Sequence, residues 1–322
     1  MALGIDEANA VSSKYFDKTM TDQVYEKSPF YVKLKSIGNV TTDGGNSIQW
    51  PIKYRKLDQT GFVGPRDQVS YTQKETRTAA DLDWKYQVAQ NMISLDERVK
   101  NSGKSQIVNL LSNKSTEIRD DVLDNFATAL HAVTPGAKDI SSLVEIVDTG
   151  RTYGGIAVTD AAEWAAGAED NSTTELVFHG PASLTYMINQ STFGPDKPDL
   201  HLTTRDMWSK FESLLEPQKR YYNKDTALAK AGFTSLQWHD AEIISDVYTQ
   251  GSGTTSAYWF GLDTDKFEIR YHPDYNFQTS KWFKLEQAGY PWAMAKTCIW
   301  AGNILCRMRK TSFKFTTLDY TK

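Results

Sequence analysis

The stretch SLDERVKNSGKSQIVNLLSNKSTEIRDDVLDNFATALHAV, residues 94–133, decides the fold. Apolar residues recur at Ile107, Leu111, Ile118, Val122, Phe126 and Leu130, with Val108, Leu110, Leu123 and Ala127 widening the stripe. Steps of four and seven residues fit a helical period and no other. Between them lie Asn113, Lys114, Glu117, Arg119, Asp120 and Asp124, so the predicted helix is amphipathic. Ser94 with Glu97 three residues on is a capping box, in which each side chain serves a backbone N–H that the first turn leaves free. Pro135-Gly136 is the stop, and Gly103 is the candidate break. From Lys104 to Val133 the helix would run roughly 45 Å at ~1.5 Å per residue, far longer than an ordinary globular helix. That length predicts a scaffold beam rather than one layer of a compact enzyme.

Working back from this helix, two alternating runs flank a long insertion. Ser47 to Tyr54 places Ile48, Trp50, Ile52 and Tyr54 on one face, and Pro51 marks an edge or bulged strand. The second run holds Leu82, Trp84, Tyr86 and Val88. Between them, the 27 residues Arg55 to Asp81 carry nine charges, Gly61 and Gly64-Pro65, with few large apolar residues besides Leu57, Phe62, Val63, Val69 and Tyr71. Coreless loops of that length are usually functional or interacting. The reading is a two-stranded arm projecting from the body, against the plainer reading of a floppy surface insertion. Upstream, Val11 to Lys27 carries Val11, Tyr15, Phe16, Met20, Val24 and Tyr25 at helical spacing, and Ser28-Pro29 ends it. Phe30-Tyr31-Val32-Lys33-Leu34 follows as an apolar tail, before a turn at Asp43-Gly44-Gly45-Asn46. Nothing local is placed to bury these aromatics, so this arm is expected to pack on another part of the chain or on another chain.

Beyond the helix, Gly154-Gly155-Ile156 reads as a turn leading to Trp164. Leu176-Val177-Phe178 is expected as a strand, Pro181 to Asn189 and Thr204 to Leu215 as helices, and Trp238 to Asp246 as another strand. After the flexible run Gly251 to Ser256, Tyr258-Trp259-Phe260 and Lys266 to Tyr271 read as paired strands. Ala293 to Leu318 is strand-rich and apolar on both faces around Cys298, Ile299, Trp300, Ile304 and Leu305, the pattern of a strand buried on both sides.

Composition narrows the function. With 322 residues the chain has enough length for a sizeable core, and its 9 Trp, 16 Tyr and 14 Phe favour strands and packed interfaces. A net charge of −4 argues against tight wrapping of nucleic acid. Cys298 and Cys306, eight apart on one face of a strand, are too far apart to bridge within it and read as reduced core residues. The sequence has no stretch near ~18 apolar residues, and MALGIDEANA lacks a basic and then apolar leader, so a reducing, cytoplasm-like compartment is expected.

No catalytic constellation rises above background. Gly103-Lys104-Ser105 resembles the end of a phosphate-binding loop, but Arg98 stands where that motif needs glycine, and the preceding run is helical rather than a strand. His131, His179, His201, His239 and His272 are scattered without ligand spacing. His239-Asp240 with Asp246 is the best imaginable metal or acid–base group, and satisfied turn and strand-end polar residues are the better account. Asp120-Asp121 point to different faces of a helix and form no dyad. The expectation is a protein with no catalytic residue, cofactor or metal.

Taken in order, these pieces resemble the major capsid proteins of tailed bacteriophages with the Hong Kong-97 type fold. The resemblance is carried by VYEKSPFYVKLKSIG, then GGNSIQWPIKYRK opening a loop and DLDWKYQVAQNMIS returning from it, then the long helix, RTYGGI with Trp164, AGFTSLQWHDAEIISD and the closing strand IWAGNILCRMR. It implies an α+β fold in five parts. An N-terminal arm covers residues 1–43, an extended loop with flanking strands 44–93, and a peripheral domain built on the spine helix 94–173. An axial domain takes 174–277, and return strands 278–322. It further implies self-assembly as hexamers and pentamers into an icosahedral shell around double-stranded DNA that is only weakly contacted. Intersubunit contacts would come from Arg55, Lys56, Phe62, Arg66, Lys74 and Arg77 in the loop and from Tyr15, Phe16, Met20 and Val24 in the arm. Because the arm begins almost at residue 11, a separate scaffolding protein, or none, is implied. A portal protein is a further implied partner, no membrane is involved, and the virion, assembled in the bacterial cytoplasm, is the implied location. The rival readings are an enzyme with unfamiliar motifs and a carbohydrate-binding or adhesion module; particle size separates all three.

Overall fold

The structure is a computed structural model that describes residues 28–53, 57, 61–68, 75–100, 104–172, 174–215, 235–249, 256–285 and 292–321. In chain order the first half contains α1 (Pro29–Ile37), β1 (Val40–Thr42), β2 (Ile48–Lys53), β3 (Arg77–Leu82), β4 (Lys85–Ile93), α2 (Leu95–Lys100), α3 (Lys104–Leu130) and α4 (Leu143–Ile146). Next come β5 (Ala168–Asp170), β6 (Thr174–Glu175), α5 (Leu184–Gln190), β7 (Leu200–Thr203), α6 (Arg205–Leu215), β8 (Ser235–Trp238) and β9 (Ala241–Ser245). The last strands are β10 (Ala257–Leu262), β11 (Phe267–Tyr271), β12 (Gln278–Thr279), β13 (Phe283–Lys284), β14 (Met294–Cys306) and β15 (Phe313–Asp319).

The long helix α3 has 27 residues. The capping box is present, with Ser94 N–H donating to Glu97 Oε2 at 3.2 Å and Glu97 N–H to Ser94 Oγ at 3.3 Å. It opens the short helix α2 rather than α3, and Asn101 to Gly103, the expected break, lie outside the described residues. Leu111, Ile118, Val122, Leu123, Phe126, Ala127 and Leu130 are all buried, as the stripe requires. The side chains of Ile107 and Val108 fall outside the described set. The helix stops at Leu130, short of the expected Val133, where Ala132 N–H donates to the Ala129 carbonyl at 3.2 Å, three residues back rather than four.

One sheet lies against α3. It runs β1-β11-β14-β12, with β13 and β4 also pairing with β14. β14 is buried along most of its 13 residues, and Cys298 and Cys306 within it are free thiols. Burial pushes the Cys306 thiol up to about 12. A seven-stranded sheet runs β5-β15-β10-β7-β9-β8, with β6 on β15. The chain crosses between the sheets three times, from β4 through the long helix to β5, from β10 to β11 and from β14 to β15. Tyr258 to Phe260 and Lys266 to Tyr271 are therefore not a pair, as expected from sequence, but belong to different sheets. Residues 174–277 likewise contribute to both sheets.

Several local expectations are corrected. Pro29 opens α1 as well as following the predicted arm helix, since proline is tolerated in a first turn. Phe30, Tyr31 and Leu34 of α1 pack into the chain's own core, with Phe30 edge-on to Phe267 at 5.5 Å and Tyr31 to Phe126 at 5.9 Å. Trp238 to Asp246 is not one strand but the hairpin of β8 and β9, turned at His239 and Asp240 with φ of 50° and 65°. Positive φ at both central residues is the two-residue hairpin geometry. Leu176 to Phe178 is not a strand; the pairing residues are Thr174 and Glu175. The helix expected from Pro181 begins at Leu184, where Ser183 Oγ accepts from Tyr186 N–H.

Candidate assembly surface

The arm expected from sequence starts from β2 and β3, which pair antiparallel from Ile48↔Leu82 to Lys53↔Arg77 and place Ile48, Trp50, Ile52 and Ala80 in the core. The period of two buries Ile48, Trp50 and Ile52 and exposes Gln49, Pro51 and Lys53. The returning strand is not the run around Trp84, Tyr86 and Val88. That run is β4, which leaves the arm and pairs with β14. Sequence favoured it because its alternation is strong, but the alternation is inverted: Tyr86, Val88 and Met92 are exposed. Gln87 and Asn91 face α3 instead, donating to the Val122 carbonyl at 2.8 Å and to Glu117 Oε2 at 2.8 Å.

The root of the arm is fixed on the body. Trp50 packs on Tyr153 with ring centroids 6.2 Å apart, and Asp81 N–H donates to the Gly154 carbonyl at 3.1 Å. Gly154 sits at φ +59°, and a Cβ there would lie 2.9 Å from that of Ala80, so only glycine fits. Tyr153 stacks on Trp164 at 6.2 Å and donates its hydroxyl to the Ile304 carbonyl at 3.1 Å.

Beneath this stack lies Arg309, whose guanidinium is 5.4 Å from the Tyr153 ring centroid. It donates to the carbonyls of Ile146 and Asp148 at 2.7 Å and of Trp164 at 3.1 Å. Burial pulls Arg309 below its ordinary value. Lys314 Nζ meets Asp148 Oδ2 at 2.7 Å and Glu169 Oε1 at 3.1 Å. Burial alone would raise Asp148, but the bonds from Lys314 and from Gly150 and Arg151 N–H outweigh it and hold the carboxyl below its usual range. Arg309 and Lys314 are the residues that sequence reasoning missed. They stand in a run read only as buried strand, where a cation is the one available signal.

Of the predicted contact residues, Phe62, Arg66 and Arg77 are described and all are exposed. Phe62 is fully exposed, with Leu57 and Val63 also outside the core. Gly64-Pro65-Arg66-Asp67 forms a turn closed by Asp67 N–H to the Gly64 carbonyl at 3.1 Å, which presents Arg66 at a corner. Arg77 stands directly across from Lys53 at the neck of the arm. Like charges placed opposite one another oppose pairing unless an anion meets them, and neither has an ion-pair partner among the described residues. Arg55, Lys56, Lys74, Tyr15, Phe16, Met20 and Val24 lie outside the described residues.

The other candidate chemistry disperses. His239 and Asp240 make the β8–β9 turn, with Asp240 bridging to Lys197 at 3.1 Å, while Asp246 pairs with His131. His201 is fully buried, accepts from the Trp259 indole at 3.1 Å and is lowered to about 3 by burial. Among the described residues there is no group of three or more side chains suited to a metal ion, and no helix is long and apolar enough to cross a membrane.

No family model and no curated protein matches the sequence. Solved structures do match in fold. The cyanophage A-1(L) capsid asymmetric unit aligns with a TM-score of 0.58 at 16% identity, covering 87% of this chain and 90% of that one. The capsid of the native GTA particle gives 0.57 at 10% identity, covering 90% of each chain. The holo-SrpI encapsulin complex from Synechococcus elongatus PCC 7942 gives 0.55 at 7% identity, covering 92% and 90%. The protein has the α+β capsid-like fold shared by these phage, GTA and encapsulin structures.

Proposed function

We propose that the chain is a shell-forming coat subunit, and specifically the major capsid protein of a tailed bacteriophage with the Hong Kong-97 type of domain organisation. On this reading it assembles as hexamers and pentamers into an icosahedral head enclosing double-stranded DNA. The observation that carries the reading is the likeness in fold, over about nine-tenths of both chains, to capsid and encapsulin structures.

The arm geometry supports it. A shell subunit has to meet several neighbours at once, and repeated weak contacts act together around a lattice. An arm with a rigid root at Trp50 and Gly154 and an exposed apolar tip at Phe62 is suited to reach a neighbour. The opposed Lys53 and Arg77 favour an acidic surface as its receiver. A net charge of −4 suits a wall that encloses DNA without adhering to it. The proposed partners are further copies of the chain, a portal protein and a separate scaffolding protein, with no membrane. The proposed location is the virion, after assembly in the host bacterial cytoplasm.

The encapsulin likeness favours a second reading, an encapsulin-like shell rather than a phage head. Nucleic acid inside purified particles supports the phage reading, and its absence from every particle supports the other.

The testing experiment replaces residues 55–75 by a short Gly/Ser turn, leaving β2 and β3 to pair as a simple hairpin. Circular dichroism should show a folded subunit, and sedimentation should show no shells. In the intact protein, assembly should weaken as salt rises. Unfolding of the variant would make the loop part of the core, and unchanged assembly would make it a passive insertion; either result removes the arm from the account.

A further inference from the structure

The outer edge of β4 is open. Its other edge pairs with β14 from Lys85↔Gly302 to Ile93↔Met294. Ala301 directs its backbone groups away from β4, donating to the Tyr275 carbonyl and accepting from His272 N–H, and Thr297 does the same with Ser280. In an antiparallel ladder, the residues opposite those two, Tyr86 and Gln90, must then turn their own N–H and C=O away from β14. By the period of two, Val88 and Met92 do likewise. Asn91 Oδ1 takes the Met92 N–H at 2.8 Å. No strand among the described residues pairs with this edge.

The same residues carry an apolar face, with Tyr86 65% exposed, Val88 55% and Met92 44%. From Tyr86 to Ile93 there is no charge, proline or glycine, so the usual devices that blunt an edge are missing. An open cleft of about 330 Å³, lined by Tyr86, Val88, Asn125, Ala129 and Asp139, leaves room beside the strand.

We propose that β4 pairs edge to edge and antiparallel with β4 of a second copy of this chain, across a two-fold axis. The second copy is the occupant that the strand itself specifies. The run from Tyr86 to Ile93, free of charge, meets its own copy without repulsion, and Lys85 at the strand's end is engaged with the Ala137 carbonyl. About Ala89 the order is self-complementary: Tyr86 falls opposite the second copy's Met92 at both ends, an aromatic ring against a thioether, and Val88 falls opposite Gln90. All four of these residues turn their backbone groups outward, so this register forms ladder hydrogen bonds at every pair, save those from Met92 N–H, which Asn91 Oδ1 holds. A two-fold also consumes both open edges, whereas a head-to-tail contact would leave one at each end. The pairing stands apart from the shell reading, because a two-fold dimer is measurable in solution whether or not particles close.

Two variants test it. One carries Val88→Lys with Gln90→Lys, the other Val88→Glu with Gln90→Glu; all four substitutions lie on exposed positions, so circular dichroism and melting should match wild type. By sedimentation velocity each variant alone should lose the two-fold association of the wild type, with dimerisation weakened at least tenfold. An equal mixture should recover it, since lysines then face glutamates. Association like wild type in either variant alone would show that the edge is not an interface. Loss in both variants without recovery on mixing would show that some other segment occupies it, and a wild-type chain that forms no two-fold dimer at any concentration overturns the proposal outright.

Discussion

His131, the first residue beyond the long helix, and Asp246, just past the end of β9, meet inside the protein with Nε2 3.2 Å from Oδ2. Both are buried, and 2.9 Å separates the Tyr248 hydroxyl from Asp124 Oδ1 at the same junction. Two polar contacts therefore join the long helix to the seven-stranded sheet. Burial would raise Asp246, but the bonds from His131 and from Tyr248 N–H outweigh it and hold the carboxyl below its usual range. A depressed carboxyl contributes stability that is present above its unfolded pKa and is lost as pH falls through the folded one.

Asp246→Asn should therefore cost about 1–2 kcal/mol near neutral pH, by weakening buried hydrogen bonds to a carboxylate, and less in acid where the wild type has lost the same contribution. Denaturant melts at pH 7 and pH 3.5 decide it. An equal deficit at both values would mean that the charge of Asp246 contributes nothing.

Asp263 predicts the opposite sign. It sits where the chain passes from β10 of the seven-stranded sheet to β11 of the other, accepts no hydrogen bond at Oδ2, and is raised to about 6, chiefly by burial, with Asp199 and Asp196 adding to the rise. A raised carboxyl costs stability above its folded pKa and costs nothing below its unfolded one. Asp263→Asn should stabilise the protein by about 1–2 kcal/mol at pH 7.5, with the gain fading toward pH 4. A gain independent of pH would contradict the assignment.

Much of this architecture was legible in the sequence, because the features involved are local. The long-helix stripe at Ile118, Val122 and Phe126, the Ser94–Glu97 box and the alternation of Ile48, Trp50 and Ile52 depend on spacing within one element. What the sequence did not show is which strand pairs with which. Trp84, Tyr86 and Val88 alternate as a core-facing strand would, yet Gln87 and Asn91 turn inward because they hydrogen-bond the long helix, a partner remote from the strand's own pattern. Arg309 and Lys314 were hidden for the same reason: their partners, the carbonyls of residues 146–164 and the carboxyls of Asp148 and Glu169, converge only in the folded chain. The exposure of Phe62, Arg66 and Arg77 was legible because a stretch with few apolar residues and many charges has nothing with which to build a core.

The arm root makes a glycine prediction. Gly154 and Gly155 both have positive φ, but only Gly154 has Ala80 within 2.9 Å of a built Cβ; Gly155 has open space. Gly155→Ala should cost about 1 kcal/mol from backbone strain, whereas Gly154→Ala should cost about 1–3 kcal/mol more and loosen the arm. Thermal melts, with hydrogen exchange over Ile48–Lys53, separate the two. Equal effects would show that the contact with Ala80 yields freely.

The most direct measurement is electron microscopy of the purified full-length protein, paired with sedimentation to count what the grid does not show. A shell-forming subunit should give closed particles or ring-shaped capsomers, together with fast-sedimenting material at micromolar concentration. A single slow species of monomer or small oligomer under all conditions tried, salt, pH and concentration included, would contradict the shell reading and return the chain to the class of enzymes or binding modules.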